Sequence, residues 1–255
     1  MKISVVLAVF NEGKNLDDCL ESIQSIADEI VIVDGGSIDD TINIAKKYKA
    51  KIINTDNPPI FHINKNKAID AATGDWILQL DADERVTSNL SDEIKVAIKN
   101  KEINGYWIPR LNFFLGRFLK KGGQYPDHTL RLYRRGKGRL PAKDVHEQAE
   151  VEGEVGYLTS PLLHFRDMSF SHYIDGLNRY TNLIAGHMKE ARTSKNVATF
   201  INYIFLKPMI WFLKTYIRHR GFMDGFQGFI FSLFSSLRFP IAYIKFCIDE
   251  KQEKS

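Results

Sequence analysis

Cysteine is scarce. The 255 residues include two, Cys19 and Cys247, far apart and outside any CxxC or Cys/His cluster. That argues against a cysteine zinc site and a disulfide framework, and makes a reducing compartment the natural setting. Long hydrophobic runs are lacking as well. No clean stretch of about 20 uncharged apolar residues occurs, so a membrane span is not expected. The opening MKISVVLAVFNEGKN has a lone Lys2 and a short apolar run. That run meets Asn11-Glu12 without a small-residue cleavage site, so it reads as a strand rather than a leader. GxGxxG is missing after this strand, which weighs against a dinucleotide oxidoreductase. Repeats and low-complexity segments are absent. A strong charge imbalance is absent too: the net charge is +4, too mild to argue for nucleic acid. The location expected from these absences is the cytoplasm.

What is present begins with an ordinary core-forming composition, 44% hydrophobic and 26% charged. Residues 3–10 are a continuous apolar, β-branched run, as in a buried parallel strand. Residues 15–26 carry Leu16, Cys19, Leu20, Ile23 and Ile26 at helical spacing. Residues 30–33 form a second buried run, and Ser37 is placed to cap a helix through about Tyr48, with Asp39 and Asp40 in its first turn. A third strand falls at 51–54, a helix at 62–72 and a fourth strand at 76–80. This alternation predicts an α/β fold with a parallel sheet covered by helices. Ligands of such sheets bind beyond the carboxyl ends of the strands. Asn11-Glu12, Asp34 and Asp81–Asp83 follow those ends and are expected to converge on one cleft. Shorter strands are expected at 105–115, 128–135 and 143–158. From about 169 to 248 the chain reads as helices rich in aromatics. The expected division is a catalytic domain at 1–168 and a helical extension at 169–255.

Asp81-Ala82-Asp83-Glu84 is the sharpest local signal. Two carboxylates one residue apart, past a buried strand, are placed by alternation on the cleft side. Hard paired oxygens suit Mg²⁺ or Mn²⁺ bridged to a diphosphate. The plainer reading is a helix start that collects acids. Asp34-Gly35-Gly36-Ser37 lets backbone approach a flat ligand closely. The Asp34 carboxylate can accept from a uracil N–H or a ribose hydroxyl. A tight turn with a Ser cap explains the last three residues and leaves Asp34 without a reason.

The segments SVVLAVFNEGKNL, IVIVDGGSIDDT and KNKAIDAATGDWILQLDADE, in this order and spacing, resemble the inverting glycosyltransferase family 2, over roughly residues 2–100. PDHTLRLYRR and VHE resemble a branch that includes lipopolysaccharide and lipooligosaccharide core β-glucosyltransferases using UDP-glucose. The resemblance implies a GT-A (Rossmann-like) fold and transfer of a single hexose from a UDP-sugar to a glycan or glycolipid. It puts Phe10 and Glu12 beside the nucleoside, Asp34 at the base, Asn66 near the nucleotide sugar and Asp81 at the ribose or metal. Asp83 would bind the metal. A late His near the metal is common in GT-A enzymes, which points to His164 in LLHF. A lone His on an apolar strand is otherwise a satisfied core residue, and His146 and His128 are weaker candidates.

Two features of the family are missing. No Glu-Asp pair follows Glu84 to supply the catalytic base, and the Gln-x-x-Arg-Trp motif of processive synthases is absent. The base candidates are Glu147 first, Asp127 second and Asp144 third. A surface strand acid and a turn residue are the plainer readings of Glu147 and Asp127. Residues 117–139 hold eight basic residues against Asp127. They form either a solvated face or a seat for an anionic acceptor such as a phosphorylated glycolipid. Their aromatics form no stacking pattern, so nucleic acid is not expected as a partner. Residues 200–248 combine Phe and Trp with six basic residues against Asp224, which suits an anionic membrane surface, inner face of the cell membrane. Packing on the catalytic domain or a second subunit is the alternative. Lys207-Pro208 is expected to interrupt the first apolar run there. The rival functions are a nucleotidyltransferase and a non-catalytic sugar-nucleotide-binding protein.

Overall fold

The structure, a computed structural model, describes residues 1–58, 60–141 and 148–252. The chain divides into two compact units. One comprises Met1–Leu111 and Asp127–His164, the other Asn112–Pro126 and Phe165–Ser255.

The first unit opens with the expected alternation: β1 (Ile3–Val9), α1 (Leu16–Ser22), β2 (Glu29–Asp34), α2 (Thr41–Lys47), β3 (Lys51–Asn54), α3 (His62–Ala71) and β4 (Trp76–Gln79). Strands β3, β2, β1 and β4 lie side by side and parallel. Each alternates between two cores. Val5, Leu7, Trp76 and Leu78 pack on one face, and Val6, Val31, Val33 and Ile77 on the other. Burial on both faces is why these strands read as unbroken apolar runs. Each large side chain so buried contributes about 1.5–3 kcal/mol.

Later strands add the antiparallel half. They are β5 (Glu84–Val86), β6 (Gly105–Phe114), β7 (Arg117–Phe118), β8 (Asp127–Arg134), β9 (Gly138–Arg139), β10 (Glu150–Val151), β11 (Val155–Tyr157) and β12 (Leu162–Asp167), with α4 (Ser88–Ala97) after β5. The mixed sheet runs β3-β2-β1-β4-β8-β6-β12-β5. Strand β8 pairs antiparallel with β4, and β12 pairs antiparallel with β5 through His164 opposite Glu84. The fold is α/β with a C-terminal helical segment.

Three local expectations are corrected. Ser37 does not cap a helix. Its hydroxyl donates to Asp34 and accepts from the Asn11 N–H, and α2 starts at Thr41 instead. Strand alternation does not aim Asp81 and Asp83. They belong to a turn in which the Glu84 N–H donates to the Asp81 carbonyl at 3.0 Å, and β5 follows at once. Pro208 does not break the second unit's apolar helix, which runs without interruption over Val197–Arg218, 22 residues. The wider π turn at Asn202–Leu206 comes immediately before Lys207-Pro208, and Pro208 then occupies the first turn of a new α segment, where its missing N–H costs little.

The second unit also contains Phe170–Glu190 and Gly225–Gln252. Val197–Arg218 and Gly221–Ile248 are long and apolar enough to cross a membrane, contrary to the expectation of no such run. Isolated Lys and Arg residues punctuate both, so neither contains a run of about 20 uncharged apolar residues.

Candidate active site

At the carboxyl ends of β1 and β4 lies a cavity of about 290 Å³, lined by Phe10, Glu12, Asn57, Phe61, Asn64, Lys65, Asp81, Asp83 and His164 among others. Five residues singled out in the sequence therefore share one space: Phe10, Glu12, Asp81, Asp83 and His164. Phe10 is 44% exposed, an apolar ring held at a strand end where the core cannot take it.

Asp81 sits between two cations. Lys65 Nζ, from α3, pairs with Oδ1, and Arg131 Nη2, from β8, pairs with Oδ2. Burial alone would raise this carboxyl, but Arg131 and Lys65 outweigh it and hold Asp81 far below the ordinary carboxylate range. Burial pulls Lys65 below its ordinary value, with Asp81 opposing. Arg131 also reaches Glu84 Oε1 at 2.9 Å, and Glu84 Oε2 accepts from the Asp81 N–H at 2.9 Å. The acidic turn is thus braced from its own backbone and from a neighbouring strand.

Asp83 faces His164, with Nε2 3.3 Å from Oδ2. Burial would raise the Asp83 carboxyl, and the hydrogen bond and charge of His164 bring it below its ordinary value. Glu12 is pushed up, first by burial and then by the nearby charges of Asp83, Asp81 and Asp39, against an opposing hydrogen bond from Asn15. Carboxylates from two strand ends crowd one wall, a potential that favours a cation.

The fit to Mg²⁺ or Mn²⁺ is good at Asp83 and His164. Among the described residues no group of three or more His, Cys, Asp or Glu forms a ready metal cage. A divalent ion with a nucleoside diphosphate needs only one or two protein ligands, the phosphates and water supplying the rest. Asp81, already paired twice, is better placed to orient than to ligate.

Other sequence candidates fall elsewhere. The Asp34 carboxylate accepts from the Gly36 and Ser37 N–H groups, both at 3.0 Å, and from the Ser37 hydroxyl. It is 3% exposed, so the turn does supply a reason for this acid. Asn66 exchanges two hydrogen bonds with the Leu140 backbone and lines a different cavity. Asp127 is held by Arg110 through Nε at 3.0 Å and Nη2 at 2.8 Å. Glu147, Asp144 and His146 lie outside the described residues. The basic stretch is divided between the two units, and Arg135, Lys137 and Arg139 line the cavity that Asn66 also lines. Arg131 is buried in the site, Arg134 covers Trp76, Lys137 pairs with Glu152 and Arg139 with Asp70. In the other unit Arg117, Lys120 and Lys121 are exposed.

The sequence alone assigns no site role to Lys65, Glu84 or Arg131. One signal was available: α3 has polar residues at His62, Asn64, Lys65 and Asn66 where a sheet-covering helix would show an apolar face, and all four are buried. Arg131, in the alternating LRLYR of β8, could be read only as a member of a basic run.

A Rossmann-like parallel half-sheet, an antiparallel addition and an acidic turn at a strand end define the GT-A class of nucleotide-sugar-dependent transferases. The model of glycosyl transferase family 2 matches residues 4–146, and the chain belongs to that family. It is 32% identical over 241 residues to the lipopolysaccharide core biosynthesis glycosyltransferase LpsC of Rhizobium meliloti (strain 1021), covering 90% of this chain and 86% of that protein. Among solved structures, the mannosyltransferase PcManGT from Pyrobaculum calidifontis, in complex with GDP-Man and Mn²⁺, aligns with a TM-score of 0.53 at 13% identity, over 97% of this chain and 87% of that one. S. aureus TarS 1-349 in complex with UDP-GlcNAc aligns with a TM-score of 0.51 at 17% identity, over 94% and 82%. These two likenesses concern the fold.

Proposed function

We propose that this glycosyltransferase moves a single hexose, glucose, from UDP-glucose to a glycan or glycolipid acceptor with inversion at the anomeric carbon, in lipopolysaccharide core assembly. The observation that carries this reading is the convergence of Phe10, Glu12, Lys65, Asp81, Asp83 and His164 on one cavity at the strand ends. The name of the Rhizobium relative supports the pathway, and the family resemblance of the sequence motifs supports UDP-glucose, the two aligned structures holding UDP-GlcNAc and GDP-Man.

In this reading Phe10 and Glu12 border the nucleoside, with Asp34 and Asn66 as the remaining donor-side candidates. Asp83 and His164 would hold Mg²⁺ or Mn²⁺, which would supply positive charge to offset the charge that grows on the departing diphosphate. Lys65 and Arg131 fix the Asp81 carboxylate so that the acidic turn need not reorganise as that charge develops. A carboxylate takes the proton of the attacking acceptor hydroxyl, Glu147 before Asp127, because Asp127 already serves Arg110. The catalytic part is residues 1–168. The extension at 169–255 brings it to the inner face of the cell membrane, where a lipid-linked acceptor is presented. An anionic acceptor would be met by exposed basic residues of the 117–139 stretch. The test is a donor screen with purified protein and Mn²⁺ or Mg²⁺, reading released nucleoside diphosphate and the anomeric configuration of the product. Turnover of UDP-glucose to a β-glucoside is expected. Release from another nucleotide sugar alone, or retention of configuration, would overturn it.

A further inference from the structure

The helix Val197–Arg218 exposes a face that repeats every four residues. Ile201, Phe205-Leu206, Met209-Ile210, Leu213-Lys214 and Ile217-Arg218 are exposed, and every residue between them is half-buried or buried. A regular α-helix cannot hold such a face straight. With 3.6 residues per turn, each four-residue step drifts by about 40°, and four steps would carry Ile217 to the far side from Ile201. Here π turns at Asn202–Leu206 and Leu213–Arg218 alternate with α turns, and their wider winding cancels the drift. The opposite face is committed to the last helix. Tyr203 stacks on Tyr243, Trp211 Nε1 donates to Ser235 Oγ at 3.1 Å, and Phe212 meets Phe229.

The charges around this face have one sign. Between Lys195 and Ile248 the single acid is Asp224. It is 3% exposed and accepts from the Lys121 N–H at 2.7 Å. Lys214, Arg218 and Arg220 are exposed at one end of the apolar stripe. Pairing with a second copy through this face would bury Lys214 and Arg218 of both copies, and this segment has no accessible carboxylate to match them. An anionic lipid surface meets both requirements, acyl chains for the stripe and phosphates for the cations.

We infer that the 197–218 helix lies flat in the headgroup region of a bilayer containing anionic phospholipid, with Ile201, Phe205, Met209, Leu213 and Ile217 inserted and Lys214, Arg218 and Arg220 on lipid phosphates. This deepens the membrane-surface reading above and rests on it. The test is flotation of the full chain with phosphatidylcholine vesicles, with and without phosphatidylglycerol. The intact chain should float with the anionic vesicles at low salt and come away as salt is raised. Phe205→Ser with Met209→Ser should weaken binding at least about tenfold, since each loses an apolar anchor. Lys214→Gln with Arg218→Gln should lose about fivefold per charge on anionic vesicles only. An unchanged thermal transition and unchanged release of UDP from donor show that the variants fold. Flotation of the stripe variant equal to the parent's overturns this face while the membrane reading stands. A chain that does not float at all overturns both, as does a solution dimer, seen by light scattering, that Phe205→Ser dissociates. None of these outcomes bears on donor turnover, which is measured separately.

Discussion

Arg131 Nη2 donates to Glu84 Oε1 at 2.9 Å, and Glu84 is fully buried. The same nitrogen also serves Asp81, so one guanidinium from β8 ties a fully buried acid to a half-buried one. Breaking such a pair strands a charge without water, at a cost of about 3–5 kcal/mol. Arg131→Met should destabilise by that order in urea unfolding. Arg131→Met with Glu84→Gln should cost less than the sum of the single changes, because the stranded charge is gone. Strict additivity would mean that the two residues are not coupled.

Asp83 and His164 can be tested as a ligand pair. Loss of a residue that merely supports a metal ligand costs about 10–100-fold, so loss of a ligand should exceed about 100-fold. Asp83→Asn and His164→Ala should each lower turnover by more than that and weaken Mn²⁺ binding measured by electron paramagnetic resonance. Excess chelator should silence the parent enzyme. Full turnover in chelator would remove the metal from the scheme.

The base is decided by two isosteric changes. Glu147→Gln cannot accept a proton and should cost about 10²- to 10⁴-fold in turnover with UDP affinity kept. Asp127→Asn should lose far less turnover, because the carboxylate of Asp127 is spent on Arg110. A dead Asp127→Asn enzyme beside an active Glu147→Gln enzyme, both binding UDP normally, would reverse the roles.

Glu93 gives a pH-dependent stability term away from the site. Its carboxylate accepts from the Thr159 and Ser160 N–H groups at 2.8 and 2.7 Å, and from the Thr159 hydroxyl. Burial raises this carboxyl, but the Ser160 and Thr159 hydrogen bonds outweigh it and leave it below its ordinary value. A depressed folded value means that the stabilisation is present above the unfolded carboxylate range and fades as pH falls through the folded value. The unfolding midpoint should therefore drop below about pH 4.5. Glu93→Ala should cost about 1.5–3 kcal/mol at neutral pH and flatten that drop. An unchanged slope would contradict the assignment.

Much of the architecture is legible in the chain itself. The β1-to-β4 alternation follows from runs such as SVVLAV and IVIV, which only a strand buried on both faces can use. The acidic turn is visible as Asp81-Ala82-Asp83 because carboxylates cannot follow a buried strand into its core. The antiparallel β5 was not legible. Three residues, Glu84–Val86, carry no period of their own, and they become a strand only through pairing with β12.

The limits are sharpest where charge is buried. In sequence, Lys65, Glu84 and Arg131 look like members of a polar helix, an acidic cluster and a basic run, and nothing local distinguishes them from solvated residues. Their meaning comes from pairing across distant segments. The same holds for the 197–218 helix, whose four-residue repeat looks irregular at 3.6 residues per turn and becomes a straight stripe only with π turns. The sequence by itself determined the order of the parallel strands and helices, the acidic turn and the one-signed aromatic tail, because local periodicity and composition encode them. The tertiary structure decided which acids share a cavity, which cations hold them and which helix face is bare, because ion pairing and burial depend on neighbours that the chain brings together only on folding.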